Sequence, residues 1–283
     1  MSGFRADRLA TLYIFHPLRR LRPWKPRIPI LMYHSISESP DVYSAAYFDT
    51  CTSPRVFCEH LRLLVGNGYK TIGLGEAARK LEEGIGTSER LVVLTFDDGF
   101  ADFYTEAFPA LSAFGCSATV FLPTDYIGES PLPFKRRPCL TWRQVRELHR
   151  AGVEFGSHTA THPQLTTMPA PEVERELQSS KEEIEERVGA PVTSFSYPYA
   201  FPEARWAFRR GLRDILVRAG YKNGVSTIIG TAGSASDRLF LERIPVNSSD
   251  DETLFTAKLH GGYDWLHVLQ LASKLCRSSE AVS

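Results

Sequence analysis

The sequence predicts an α/β fold with a mostly parallel sheet, closed into a barrel. Three observations carry this expectation. Short apolar runs rich in β-branched residues alternate with longer segments of helical periodicity, the order that accompanies parallel strands. Several of the apolar runs end in chemistry-bearing residues, as where Leu91-Val92-Val93-Leu94-Thr95-Phe96 delivers Asp97-Asp98-Gly99. Such polar ends come from four or more strands, and a barrel brings them to one mouth better than an open sheet does.

The elements follow in order. Residues 28–33 read as a first strand ending at His34. Residues 54–66 read as a helix, with Ser53 as N-cap, Pro54 at the first helical position and Gly66 as terminator. A short strand at 69–72 and a helix at 76–83 precede the strand at 91–96. Residues 101–114 are helical, with Phe103, Ala107, Phe108 and Leu111 at core spacing and Gly115 at the end. A strand at 117–121 leads into the longest loop, 124–140, rich in Pro, Gly and basic residues. A helix at 142–151 and the run Val153-Glu154-Phe155 then lead to His158. Residues 172–188 form a helix with Val173, Leu177, Ile184 and Val188 on one stripe and Gly189 past its end. The rest alternates: a strand at 192–197, a helix near 203–219, strands at 225–229 and 243–246, and helices near 251–259 and 263–275.

Composition bounds the function. Lys+Arg and Asp+Glu are equal at 33 each, so bulk charge points to no nucleic-acid partner. Cys51, Cys58, Cys116, Cys139 and Cys276 are scattered and form no C-x-x-C pair, so reduced thiols are expected rather than a zinc knuckle or a disulfide framework. Residues 1–27 stand apart as a basic leader before a domain spanning 28–283. The leader has seven cations against Asp7 alone, with Leu9, Leu12, Ile14, Phe15, Leu18 and Leu21 interspersed. It reads either as a solvated lead-in or as a basic amphipathic segment lying on an anionic membrane. Its apolar stretch is short and lacks a small-residue cleavage site, so no secretory signal is recognised. The expected location is cytoplasmic, with peripheral membrane contact through residues 1–27 as an option.

Two stretches carry the chemistry. Adjacent carboxylates at the end of a strand, Asp97 and Asp98, suit a division between metal ligation and proton transfer. His158 and His162, in Gly156-Ser157-His158-Thr159-Ala160-Thr161-His162-Pro163, offer two imidazoles after another strand. One Asp with two His is an open three-ligand set for a catalytic metal. Each stretch alone has an ordinary structural reading as a turn or a helix cap; their pairing in this order is the informative feature.

Thr95-Phe96-Asp97-Asp98-Gly99 resembles the first motif of the polysaccharide deacetylase family (the NodB-homology, carbohydrate esterase 4 group). Ser157 to Pro163 resembles the second, and Phe195-Ser196-Tyr197-Pro198-Tyr199-Ala200 the third in its Tyr-Pro-Tyr form. The resemblance spans about residues 28–265. It implies a distorted (β/α) barrel with fewer strands than the regular eightfold one. It also implies that Asp98, His158 and His162 bind a divalent metal, with zinc expected first and Co²⁺, Ni²⁺ or Mn²⁺ as alternatives. By the same resemblance Asp97 is the general base, and the backbone N–H of Tyr199 binds the oxyanion. The family's third motif commonly supplies an arginine to hold the base, but Ser196 stands there in this chain. Arg243, in Leu241-Glu242-Arg243-Ile244-Pro245-Val246, is a candidate replacement, against the alternative of a surface ion pair. No C-terminal Leu-x-His motif is found, since His260 and His267 have the wrong context. His34 resembles the N-terminal histidine of the branch that deacetylates poly-N-acetylglucosamine, and is the expected general acid.

Asp125 and Tyr126, opening the long loop, and Trp142, closing it, are candidate substrate contacts, with core packing as the alternative for Trp142. The function expected is metal-dependent removal of N-acetyl groups from a hexosamine-containing glycan or a lipid-linked precursor. A deformylase or other non-peptide amide hydrolase, an ester-cleaving O-deacetylase and a non-catalytic glycan-binding relative are the competing readings. Oligomeric state is left open.

Overall fold

The computed structural model describes residues 5–21, 26–39, 49–84 and 89–280. Seven parallel strands form a closed ring. They are β1 (Ile30–Tyr33), β2 (Leu91–Phe96), β3 (Thr119–Leu122), β4 (Glu154–Ser157), β5 (Ser194–Ser196), β6 (Asn223–Ile229) and β7 (Leu241–Pro245). From β2 to β7 each strand pairs with the next, and β1 pairs with both β7 and β2. A short outer strand, Lys70–Thr71, adds to the start of β2. The helices are α1 (Pro54–Gly66), α2 (Leu74–Glu83), α3 (Phe108–Phe114), α4 (Trp142–Arg150), α5 (Ala170–Val188), α6 (Trp206–Arg218), α7 (Glu252–Leu259) and α8 (Leu266–Glu280).

The caps anticipated from sequence form except at the end of α1, where Gly66 is still helical, Asn67 is the C-cap and Gly68 takes the left-handed conformation. The Ser53 hydroxyl accepts the Val56 N–H ahead of Pro54, and Gly189 ends α5 in the left-handed region. Thr141 and Gln144 add a reciprocal capping box to α4. The long loop is less irregular than expected. It contains a tight hairpin in which Pro133–Phe134 pairs with Arg137–Pro138. The four cysteines whose side chains are described are unpaired, in keeping with reduced thiols.

Strand alternation decides what fills the barrel. Along β2, Leu91 and Val93 join an inner cluster with Ile30, Phe121, Val225 and Leu241, closed from below by Leu74 and Ala77 of α2. Val92, Leu94 and Phe96 face outward into the larger core beneath the helices. The residues that continue the inward series past the inner cluster are Thr95 and then Asp97 on β2, and Arg243 on β7. The site therefore sits on the apolar plug at the C-terminal end of the strands. Gly156 stands opposite Phe121. A Cβ there would lie 2.6 Å from the Phe121 ring and 2.8 Å from the Ser194 carbonyl, so the ring fills the barrel only because this position is bare.

Residues 6–20 form a helical segment with a π turn at Thr11–Phe15. It packs on the C-terminal helices: Phe15 stacks on Trp265 at 4.4 Å, Trp265 Nε1 donates to Thr11 Oγ1, and Tyr263 donates to Asp7. Much of the proposed leader is thus docked on the domain that follows. Residues 1–4 and 22–25 of that leader lie outside the described residues.

Candidate active site

The chain leaves β2 through two successive left-handed residues, Asp98 (φ 70°) and Gly99 (φ 59°). This sharp exit aims the two carboxylates differently. A Cβ on Gly99 would come within 2.9 Å of Leu122, so the turn needs glycine for both conformation and space.

Asp97 points into the barrel and meets Arg243 in a bidentate pair, Nη1 to Oδ1 at 2.8 Å and Nη2 to Oδ2 at 2.7 Å. The remaining Arg243 donors go to the Ser226 carbonyl, Thr95 Oγ1 and Ser196 Oγ, so all five N–H groups of the guanidinium have acceptors. Ser196 Oγ in turn donates to Asp97 Oδ1. Both side chains of the pair are almost wholly buried, at 0% and 3% exposure. Burial works to raise the Asp97 pKa, but Arg243, with His158 and His34, overrides it and holds the carboxyl well below the usual range. Arg243 on β7 thus supplies the cationic contact that the uncharged Ser196 on β5 does not, and Ser196 joins it as a neutral hydrogen-bond partner.

Asp98 turns the other way, toward His158 and His162. Its Oδ1 lies 3.3 Å from His162 Nε2 and 3.6 Å from His158 Nε2. Ligand atoms of all three buried residues fall within 4.8 Å of one another. His158 Nδ1 donates to the Ser196 carbonyl at 2.8 Å, which fixes the tautomer and turns the lone pair of Nε2 toward Asp98. Burial, partly offset by Asp97, pushes the His158 pKa down to about 3, so the ring is neutral as a ligand must be. Asp98 Oδ1 is buried and has no hydrogen-bond partner among the described residues. The donor set fits a divalent ion: ligands at about 2.0–2.1 Å on tetrahedral zinc stand roughly 3.3–3.4 Å apart, close to both separations found.

The loop carrying the histidines is held by a residue the sequence did not mark. Glu176 on α5 accepts the N–H groups of Ala160 and Thr161 and the Thr161 hydroxyl. Lys135 was also missed. It sits at the tip of the hairpin and donates to Asp98 Oδ2 at 2.9 Å. Its side chain is 43% exposed, so it stands at the mouth. The non-glycine residues with positive φ are Asp98, Lys135, Arg136, Thr159, His162 and Tyr199. All belong to this site or to the hairpin reaching it. Each such conformation costs about 1–3 kcal/mol, and strain of this kind gathers where function requires it.

The remaining candidates divide. His34 follows β1, and its environment includes Asp98, Asp97, Lys135 and Arg243. Burial lowers its pKa, while the two carboxylates oppose that shift. Tyr199 (φ 59°) is half exposed, and its ring stands edge-on to His162 at 4.6 Å. The Tyr199 N–H donates to no acceptor among the described residues. Tyr126 reaches the site through Phe134, whose ring lies 4.3 Å from Tyr126 and 5.1 Å from His162. Asp125 is exposed, with its N–H bound to the Ala160 carbonyl. Trp142 is a correction. It is 1% exposed in the core at the start of α4, with the Arg187 guanidinium over its ring, and it offers no face to a sugar.

Known proteins resemble this chain over most of its length. The family model for polysaccharide deacetylase matches residues 84–224, which include Asp97, Asp98, His158, His162 and Tyr199. The Bacillus subtilis protein YxkH, which carries a polysaccharide deacetylase name, is 29% identical over 231 residues, 82% of this chain and 75% of its own. The poly-beta-1,6-N-acetyl-D-glucosamine N-deacetylase of Escherichia coli is 36% identical over 111 residues, 36% of this chain but only 16% of its own length. The solved structure of the Streptococcus pyogenes deacetylase PplD, in complex with acetate, superposes with a TM-score of 0.70 at 26% identity, covering 83% of this chain and 99% of that one. With its seven-stranded parallel barrel and these relatives, the chain belongs to the polysaccharide deacetylase family, hydrolases that act on carbon–nitrogen bonds other than peptide bonds.

Proposed function

We propose that this protein is a divalent-metal-dependent deacetylase that removes N-acetyl groups from a hexosamine-containing glycan, with zinc as the expected metal. The observation that supports this most is the pairing of two differently wired carboxylates: Asp98 against two neutral histidines, and Asp97 locked to Arg243.

Asp98, His158 and His162 would hold the metal, which supplies Lewis acidity toward the acetyl carbonyl and the attacking water. Asp97 accepts the proton from that water on a carboxylate oxygen. Arg243 and Ser196 keep Asp97 ionised and fix its orientation before the proton arrives. The Tyr199 N–H, in its left-handed turn, donates to the oxygen that gains charge, a contact worth about 3–4 kcal/mol when preorganised. His34 gives a proton to the departing amine. A C–O bond forms, the C–N bond breaks, and acetate and a free hexosamine amine leave.

The substrate belongs to the same proposal. The Escherichia coli relative makes β-1,6-linked N-acetylglucosamine polymer the first substrate to offer. The amide-hydrolase reading with N-formyl or lipid-linked sugars is the alternative. The test is release of acetate and formate by the zinc-loaded protein from β-1,6-linked N-acetylglucosamine oligomers, an N-formyl hexosamine and a lipid-linked N-acetylated sugar. Acetate from the oligomers supports the proposal. Formate alone, or acetate from the lipid-linked sugar alone, redirects it to the alternative. No release from any of them by metal-loaded protein refutes it.

A further inference from the structure

The N-terminal helical segment is amphipathic in an inverted sense. The side chains it turns toward the domain are Asp7, Thr11, Phe15 and His16, engaged with Tyr263, Trp265 and His260. Among its described side chains the exposed ones are Ala6, Leu9, Tyr13, Ile14, Pro17 and Leu18, followed by Leu21, and none of these is charged. Tyr13 is 74% exposed, Leu18 52% and Leu21 82%. One turn beyond Trp265, α8 adds Val268 and Leu269, also turned to solvent. Isolated apolar residues on a surface are unremarkable, but a whole helix face of them marks a contact.

Charge indicates the occupant. Between Asp7 and Glu38 the sequence contains no acidic residue, while Arg19, Arg20, Arg22, Lys25 and Arg27 follow closely on the apolar face, with Trp24 among them. Arg5, Arg8 and Arg27 are answered by Asp250, Asp251 and Asp264. An apolar face followed in the sequence by a run of cations complements an anionic bilayer, where acyl chains meet the one and lipid phosphates the other. A second copy of the chain suits it less well. Each copy would bring the same excess of positive charge in this stretch of sequence to the other. A face about 22 Å long and 10 Å wide is also far below the roughly 800 Å² per partner of a stable interface. Among the described residues no helix is long and apolar enough to cross a membrane, so the contact lies in the plane of the surface.

We propose that residues 6–21, with Val268 and Leu269, dock this protein on an anionic phospholipid surface. The docked helix is coupled to the site through α8. Phe15 of the helix Ala6–Arg20 stacks on Trp265, just before α8, while His267 binds Glu203 in the loop that follows Tyr199 and Gln270 binds Thr227 and Ile229 on β6, where Thr227 donates to the Tyr199 carbonyl. The inference does not depend on the reaction catalysed.

The test is flotation of the full chain with vesicles of phosphatidylcholine containing about 30% phosphatidylglycerol, and with phosphatidylcholine alone. Wild-type protein is expected to float with the anionic vesicles. Ile14→Asp with Leu18→Asp is expected to weaken binding by about tenfold or more, with its melting temperature unchanged because both side chains are exposed. Arg20→Glu with Arg22→Glu is expected to lose the preference for anionic vesicles. Failure of the wild type to bind, or binding indifferent to Ile14→Asp with Leu18→Asp, overturns the proposal. So does a wild-type dimer that this double substitution dissociates, which would make the face a self-interface.

Discussion

Replacing Arg243 with methionine isolates the feature that sets Asp97 apart from Asp98. The guanidinium and the carboxylate are joined by two hydrogen bonds of 2.8 and 2.7 Å at 0% and 3% exposure. Removing one partner of such a pair leaves a buried charge and costs about 3–5 kcal/mol. For a domain of this size that corresponds to a fall of roughly 6–20 °C in melting temperature. The pH dependence should also reverse. In the wild type the depressed Asp97 pKa contributes stability present above the unfolded value of about 3.9 and lost only as pH falls through the lower folded value. Without Arg243, burial dominates and lifts the folded pKa above the unfolded one. Stability is then highest in acid and falls by about 1.4 kcal/mol per pH unit as pH rises through the window between them. The gap between wild type and Arg243→Met should therefore widen from pH 5 to pH 8. Urea denaturation at several pH values reads both effects, and Asp97→Asn completes a double-mutant cycle. The two changes together should be less damaging than their sum by about 1–3 kcal/mol. Additivity within about 0.5 kcal/mol, or a gap that does not change with pH, would refute the reasoning.

Other perturbations probe other parts of the site. His34→Ala should lower turnover strongly on acetamides and little on activated acetate esters, whose leaving group needs no proton. Because burial lowers the His34 pKa, its acid form is lost as pH rises through a range below the ordinary imidazole value of about 6.5, and the decline in amide turnover over that range should vanish in the variant. Equal losses on both substrates would remove His34 from the acid role. Lys135→Met should tighten divalent metal binding by about two- to fivefold, since the ammonium competes for Asp98 from a partly exposed position. Weaker binding by calorimetry would show that Lys135 supports the site instead. Gly156→Ala should cost about 1–3 kcal/mol by forcing a methyl against Phe121 and the Ser194 carbonyl, and an unchanged urea midpoint would contradict the packing argument.

Much of this fold is written in local pattern. The apolar run of β2 and the helix stripe of α5 fix those elements with little tertiary input; the alternating order and the polar strand ends favour a barrel, while fewer strands than eight is implied only by the family resemblance. The cluster of Asp98, His158 and His162 was legible because its members follow strand ends, with the two histidines only four positions apart. Arg243 was less legible. Its inward position follows from the period of β7, but only the barrel shows that β7 and β2 face each other across the same polar layer. Lys135 and Glu176 were invisible: one arrives on a hairpin tip with two left-handed residues, the other from the flank of a helix that reads as solvated. Trp142 was ambiguous for a general reason. A large aromatic beside a loop can serve a core or a sugar equally well until its burial is known.

The central claim is that Asp98 holds a metal while Asp97 moves a proton. It is tested most directly by measuring metal content and acetate release on the same preparations of wild type, Asp97→Asn and Asp98→Asn. One metal per chain is expected in the wild type and in Asp97→Asn, with little in Asp98→Asn, and acetate from the wild type alone. Acetate release by Asp97→Asn at the wild-type rate, or full metal content in Asp98→Asn, would contradict the account.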